Sequence, residues 1–143
     1  MRRATAIALL LLGLSGCGGG SDKSSPAPAP PPDKEVIRGW LAALDAGDYV
    51  AAGSYFAKNA LIQQAQVYRL KTRDQAEEFN RELPCRANLG PVKDEGKTSI
   101  AVFNLRAGPG GPCHGSTRVR FTIENGHFKE WRQLPDRAPS KVA

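Results

Sequence analysis

The stretch from Gly115 to Leu134, GSTRVRFTIENGHFKEWRQL, leaves the fewest choices open. Val119, Phe121 and Ile123 alternate with Arg118, Arg120, Thr122 and Glu124, the period of a strand with one buried face. Asn125-Gly126 follows, a pair that accepts the positive φ angles of a two-residue hairpin turn. The chain must then return through HFKEWRQL as a second antiparallel strand. On that strand Phe128 and Trp131 have opposite parity, so both face inward only if a bulge near Glu130 separates them. A hairpin with one apolar face is not stable alone. The rest of the chain must supply strands to extend it and helices to cover it.

It supplies both. Thr98 to Arg106, TSIAVFNLR, is apolar on both faces and predicts a central strand. Arg86 to Lys93 carries a weaker strand signal, joined to it by the turn Asp94-Glu95-Gly96-Lys97. Upstream, Lys34 to Ala46 places Val36, Ile37, Trp40, Leu41 and Leu44 on one helical stripe, with Asp33 as the expected N-cap and Gly47 as the stop. Asp48 caps a second helix, Tyr49 to Ala57, with Tyr49, Ala52, Tyr55 and Phe56 inward. Short strand character follows around Leu61-Ile62 and Val67-Tyr68. Thr72 and Gln75 then form a capping box for a third helix, with Ala76, Phe79 and Leu83 as its inner face and Pro84 as its end. The expected architecture is α+β: a curved antiparallel sheet wrapped around N-terminal helices. Pro135 closes this domain, 34–135, and 136–143 reads as a frayed tail.

The first 33 residues obey different rules. Met1-Arg2-Arg3 precedes the apolar run Ala4 to Leu14, the pattern of an export signal over 1–16. Eleven helical residues span about 16 Å, roughly half a bilayer core, so the run is too short for a stable crossing. The segment 17–33, CGGGSDKSSPAPAPPPD, has no large apolar residue and reads as a tether, flexible at Gly/Ser and stiffer at Pro. Recognition of its PxxP spacing by a partner is the rival reading. The formal charge of +6 includes Arg2 and Arg3, which leave with the signal. What remains is scattered and gives no reason to expect a nucleic-acid partner.

Two resemblances sharpen this. Leu14-Ser15-Gly16-Cys17 resembles a bacterial lipobox. It implies that Cys17 is lipidated, becomes the new N-terminus and anchors the chain to a membrane on its extracytoplasmic face. The alternative is an ordinary signal with an incidental cysteine. Two cysteines then remain, and an exported chain meets oxidising conditions, so Cys85 and Cys113 are expected to pair. A metal site would need more ligands than the adjacent His114, and no CxxC motif suggests a catalytic thiol. The run WLAALDAGDYVAAGSYFAKNALIQ and the ending FTIENGHFKEWRQL resemble the nuclear-transport-factor-2-like superfamily, including the SnoaL-like proteins. The likeness rests on the turn Asp45 to Asp48, on Tyr55-Phe56 before Ala57 and Ala60, and on the aromatic closing hairpin. It implies a cone with a pocket between sheet and helices. Members include isomerases, dehydratases, cyclases and domains without chemistry, so the fold does not fix the function.

Candidate residues are few. Tyr55, Tyr68, Phe79, Phe103 and Trp131 are candidates to line a pocket, although rings at such spacings are more often plain core. Glu130, between Phe128 and Trp131, is the weak catalytic candidate: buried, it would have a raised pKa and serve as a base. On the surface it would pair with Arg118 or Arg120. His114 and His127 fall in loop or turn contexts, Asp45 and Asp48 in a helix turn, and Asp74, Glu77, Glu78 and Glu82 on a wet helix face. Glycine-rich GPGGPCHG does not lead from a strand into a helix, so it is not a phosphate cradle. No cofactor or metal is implied. The expected function is binding of a small apolar or amphiphilic ligand, or of an envelope protein, at a membrane. The alternatives are a proton-transferring pocket enzyme and a module that dimerises through its sheet.

Overall fold

The structure, a computed structural model, describes residues 26–136. The segment expected to be an export signal, Cys17, the first part of the expected tether and the expected tail beyond Asp136 lie outside the described residues. No described helix is long and apolar enough to cross a membrane.

Three helices precede most of the sheet: α1 (Asp33–Asp45), α2 (Tyr49–Ser54) and, between the second and third strands, α3 (Arg73–Glu82). The strands are β1 (Phe56–Gln63), β2 (Val67–Leu70), β3 (Arg86–Glu95), β4 (Thr98–Arg106), β5 (Ser116–Glu124) and β6 (His127–Gln133). They form one curved, unclosed sheet in the order β2-β1-β6-β5-β4-β3. Neighbours run antiparallel except β1 and β6, which pair in parallel with Ile62 opposite Trp131. That pairing carries the β1–β2 hairpin onto the free edge of the β3–β6 meander.

The local chemistry explains most boundaries. Oδ1 of Asp48 accepts from the Ala51 amide at 2.9 Å and caps α2. That helix ends at Ser54, before the expected Ala57, because Phe56 already belongs to β1, opposite Phe128. Thr72 accepts from the Gln75 amide at 3.2 Å, and Gln75 accepts in return from Lys71, one residue outside the cap. Asp33 is not the N-cap of α1. Pro32 holds that position, and Asp33 lies in the first turn. There its carboxylate is 2.6 Å from the hydroxyl of buried Ser99, which fixes the start of the helix against β4. The β5–β6 register shifts where expected: Thr122 faces Glu130 while Ile123 faces Phe128, leaving Lys129 as the extra residue. The bulge lets Phe128 and Trp131 both turn inward, and both are buried. β4 is paired on both sides, but only Ser99, Ala101 and Phe103 are buried; Ile100 and Val102, on the outer face, are half-buried.

Trp40 of α1 fills the centre. It meets Phe56, Phe103, Phe121 and Phe128 edge-on, at centroid separations of 5.6 to 6.2 Å. Such contacts add about 0.5–1.5 kcal/mol each beyond burial itself. Its indole Nε1 donates to Oδ1 of Asn80 on α3 at 2.7 Å, and Asn80 in turn donates to the Ala76 carbonyl at 2.7 Å.

Cys85 and Cys113 form a disulfide that closes a sequence separation of 28, with Cα atoms 5.9 Å apart. It pins the β4–β5 loop beside the start of β3. Gly108 in that loop lies so close to the chain opposite that an added Cβ would sit 2.6 Å from the Pro84 carbonyl and 2.7 Å from the Arg86 amide. Both are backbone atoms and cannot swing aside. Gly108→Ala should therefore lower stability by about 1–3 kcal/mol, the range for overpacking. Urea denaturation checks this, and an unchanged midpoint would show that the loop yields.

Candidate ligand-binding cavity

One end of the helix–sheet interface is closed by rings. Phe56 packs against Phe79 at 5.4 Å and Phe128 at 5.1 Å, and Phe79 against Trp131 at 5.4 Å. Toward the other end the interface is not filled. A cavity of about 180 Å³ opens there, between the C-terminal half of α1, the α3–β3 connection and the ends of β4, β5 and β6. Trp40, Leu41, Leu44, Phe103, Val119 and Trp131 are its buried apolar wall. Cys85, through its disulfide, holds one side. A larger depression of about 730 Å³ lies among Lys58, Lys71, Arg73 and Lys129; it touches one central ring, Phe56, but most of the residues around it are polar or charged. The apolar wall makes the smaller space the better ligand site.

Polar residues interrupt the apolar lining: Asp45, Gln64, Arg86, Thr117 and Gln133. Nε1 of Trp131 and Nη1 of Arg86 are buried with no hydrogen-bond partner among the described residues. A buried donor left unpaired costs about 1–3 kcal/mol. Arg86 uses its other arm, donating from Nη2 to the Tyr49 hydroxyl at 3.1 Å, and its guanidinium lies over the Tyr49 ring at 5.9 Å. Arg81 lies over the same ring at 5.3 Å. Asp45 also lines the cavity, but its carboxylate is bound to Arg106.

The expected pocket residues divide. Phe103 and Trp131 line the cavity. Phe79 is core, wedged between Phe56 and Trp131. Tyr55 packs against Phe128 at 6.3 Å, away from the opening. Tyr68 is on the edge strand β2, 41 % exposed, in an open groove against α3. Partial burial, and then the charge of Glu82, raise its phenol above the ordinary tyrosine range. Arg86 and Asn80 were not singled out by sequence reasoning. Asn80 shares the inward face of α3 with Ala76 and Phe79, which was the available signal.

Glu130 requires a correction. A raised pKa was expected of it if it faced the cone. Trp131 faces inward, so its neighbour faces out, and Glu130 lies on the outer side of the sheet beside Thr122 and Arg132. Arg132, rather than Arg118 or Arg120, is its ion-pair partner, at 3.1 Å. The hydrogen bond from Arg132 is the main cause that holds its carboxyl below the usual range. A group depressed in the folded state stabilises above its unfolded pKa and loses that contribution as pH falls through the folded value. Glu130→Gln should therefore cost at most about 1 kcal/mol at neutral pH, since the pair is partly exposed. The deficit should vanish in acid below the carboxylate range. Paired urea titrations at neutral and acid pH check it; a deficit that grew in acid would contradict the ion pair.

A curved sheet folded over helices, with a hollow at its open end, defines a cone-type α+β protein. The fold is the nuclear-transport-factor-2-like, cystatin-like cone. A nuclear-transport-factor-2-like protein of unknown function from Cytophaga hutchinsonii superposes with a TM-score of 0.58 at 10 % identity, over 72 % of this chain and 88 % of that one. A candidate polyketide cyclase from Sinorhizobium meliloti gives 0.57 at 15 % identity, over 70 % and 94 %. A candidate ketosteroid isomerase from Kribbella flavida gives 0.54 at 16 % identity, over 76 % and 83 %. Identities this low establish the fold alone. No protein-family profile and no curated protein matches the sequence.

Proposed function

We propose that this chain is an exported lipoprotein, anchored through Cys17, whose cone domain binds a small amphiphilic molecule without transforming it. The observation that carries the binding reading is the cavity: about 180 Å³ of space walled by buried apolar side chains, with Arg86 and Trp131 in its lining, each holding a buried donor without a partner among the described residues. Drug-sized sites span roughly 300–1,000 Å³, whereas a cavity near 150 Å³ accepts benzene. The ligand is therefore on the scale of one ring or a short chain. Two of the solved neighbours carry enzyme names, but the acid–base equipment here favours binding. Glu130 is on the far face of the sheet, and Asp45 at the cavity is committed to Arg106.

The anchor reading rests on the sequence before residue 26. One structural observation is consistent with it. Pro31, at the end of the tether, lies beside Gly126 in the β5–β6 turn, near the start of α1. The cavity lies at the other end of that helix, which is 13 residues long. At 1.5 Å per residue the two ends are about 20 Å apart. An anchored domain would thus present its cavity away from the tether.

The two tryptophans of the chain, Trp40 and Trp131, both line the cavity. Intrinsic fluorescence is therefore a direct readout. Titrating the full oxidised chain with one-ring and short-chain alcohols, acids and amines should give saturable changes for at least some of them. No response from any probe would overturn the binding reading. Mass spectrometry of the N-terminus from expressing bacteria tests the anchor separately: diacylglyceryl on Cys17 is expected, and a chain that keeps Met1 or has a bare thiol at Cys17 would refute it.

A further inference from the structure

We propose that the ligand's polar end is a carboxylate, received by Arg86 with Trp131 as a second donor; this rests on the reading that the cavity takes a small amphiphile. Both residues line the same cavity, and each has a buried N–H with no acceptor among the described residues. Indole and guanidinium nitrogens only donate. These two nitrogens therefore lack acceptors, which a protonated ligand amine could not provide and a carboxylate provides twice over.

The charge balance points the same way. Among the described residues Arg86 has no carboxylate partner, its hydrogen bond going to a tyrosine hydroxyl. Arg81, over the same Tyr49 ring, adds a second positive group nearby, itself paired to Glu78. The carboxylate of Asp45 on the cavity wall is held by Arg106. A half-buried guanidinium without a counter-ion favours an anion, and its planar fork matches a carboxylate. A phosphate would bring more oxygens and charge than two N–H groups can satisfy in an apolar cavity, at the expense of its desolvation. At about 180 Å³ the space suits a carboxylate on a single ring or short chain.

The test uses three probes with one ring and one spacer: phenylacetate, 2-phenylethanol and 2-phenylethylamine. Tryptophan fluorescence of the full oxidised chain gives each affinity. Phenylacetate should bind about tenfold or more tightly than the alcohol, as a charge-assisted hydrogen bond provides, and the amine most weakly. Arg86→Met should bring phenylacetate down to the level of the alcohol while alcohol affinity, and so the cavity, is retained. Equal binding of acid and alcohol overturns the carboxylate assignment and leaves the cavity reading intact. Silence from all three overturns both. Acid preference that survives Arg86→Met overturns the role of Arg86. Should that variant bind neither probe, Trp131→Phe decides: a reduced acid preference with the alcohol still bound supports the proposal, and an unchanged preference overturns it.

Discussion

A chain in which Cys85 and Cys113 are both serine should melt about 20 °C below the parent. The disulfide closes a loop with a sequence separation of 28. In the chain-entropy model a loop of that length removes about 3.5 kcal/mol of freedom from the unfolded ensemble. For a domain of roughly a hundred residues each kcal/mol moves the midpoint by about 4–8 °C. The loss should exceed that of a surface change because the bond also holds a wall of the cavity: Pro84, Cys85 and Arg86 all line it. Reductant should therefore lower the melting temperature of the parent and leave the double variant where it is. Phenylethanol binding should weaken along with it. A shift under about 5 °C would mean that the close packing of Gly108 and Gly110 on Pro84 already fixes this loop without the covalent link.

The fold was most legible where short-range chemistry decides the structure. Alternation and Asn-Gly place β5, its turn and β6, and the parity conflict between Phe128 and Trp131 locates the bulge at Lys129. Asp48 and Thr72 mark helix starts because their capping bonds are made within three residues. Long-range geometry left no such trace. The parallel pairing of β1 with β6 joins residues nearly seventy positions apart, as Ile62 with Trp131, and nothing in either segment announces it. Asp33 looked like a cap by sequence, but Ser99 claims its carboxylate.

The site was half legible for the same reason. Strand parity turns Phe103 and Trp131 inward, so the sequence offers them as lining. Parity cannot say where opposing rings touch and where they leave a gap. Rings crowd together at the Phe56–Phe79–Phe128 end, while Trp40, Phe103 and Trp131 share the lining of the gap with Leu41, Leu44 and Leu105. Arg86 was invisible: it opens a strand with weak patterning, and its place depends on the neighbouring disulfide and on Tyr49 from another helix.

Removing Trp40 should be the most damaging single change in the core. Its ring touches four phenylalanines and is 3 % exposed. Trp40→Ala deletes that surface and leaves a void, which together cost about 3–5 kcal/mol. It also strands Oδ1 of Asn80, whose residue is fully buried, for a further penalty of about 1–3 kcal/mol. Against a typical total of about 5–15 kcal/mol, the variant should be largely unfolded or close to it at ambient temperature. Trp40→Phe separates the two contributions. It keeps a ring in the cluster but loses the hydrogen bond, so its deficit should be near the hydrogen-bond penalty alone. Asn80→Ala in that background should then cost less than in the parent, because the acceptor it removes is already idle. The hydrogen bond from Asn80 to the Ala76 carbonyl is lost in both backgrounds and cancels in the comparison. Urea titrations of the four chains close this cycle, and a coupling below about 0.5 kcal/mol would show that packing alone holds the tryptophan in place.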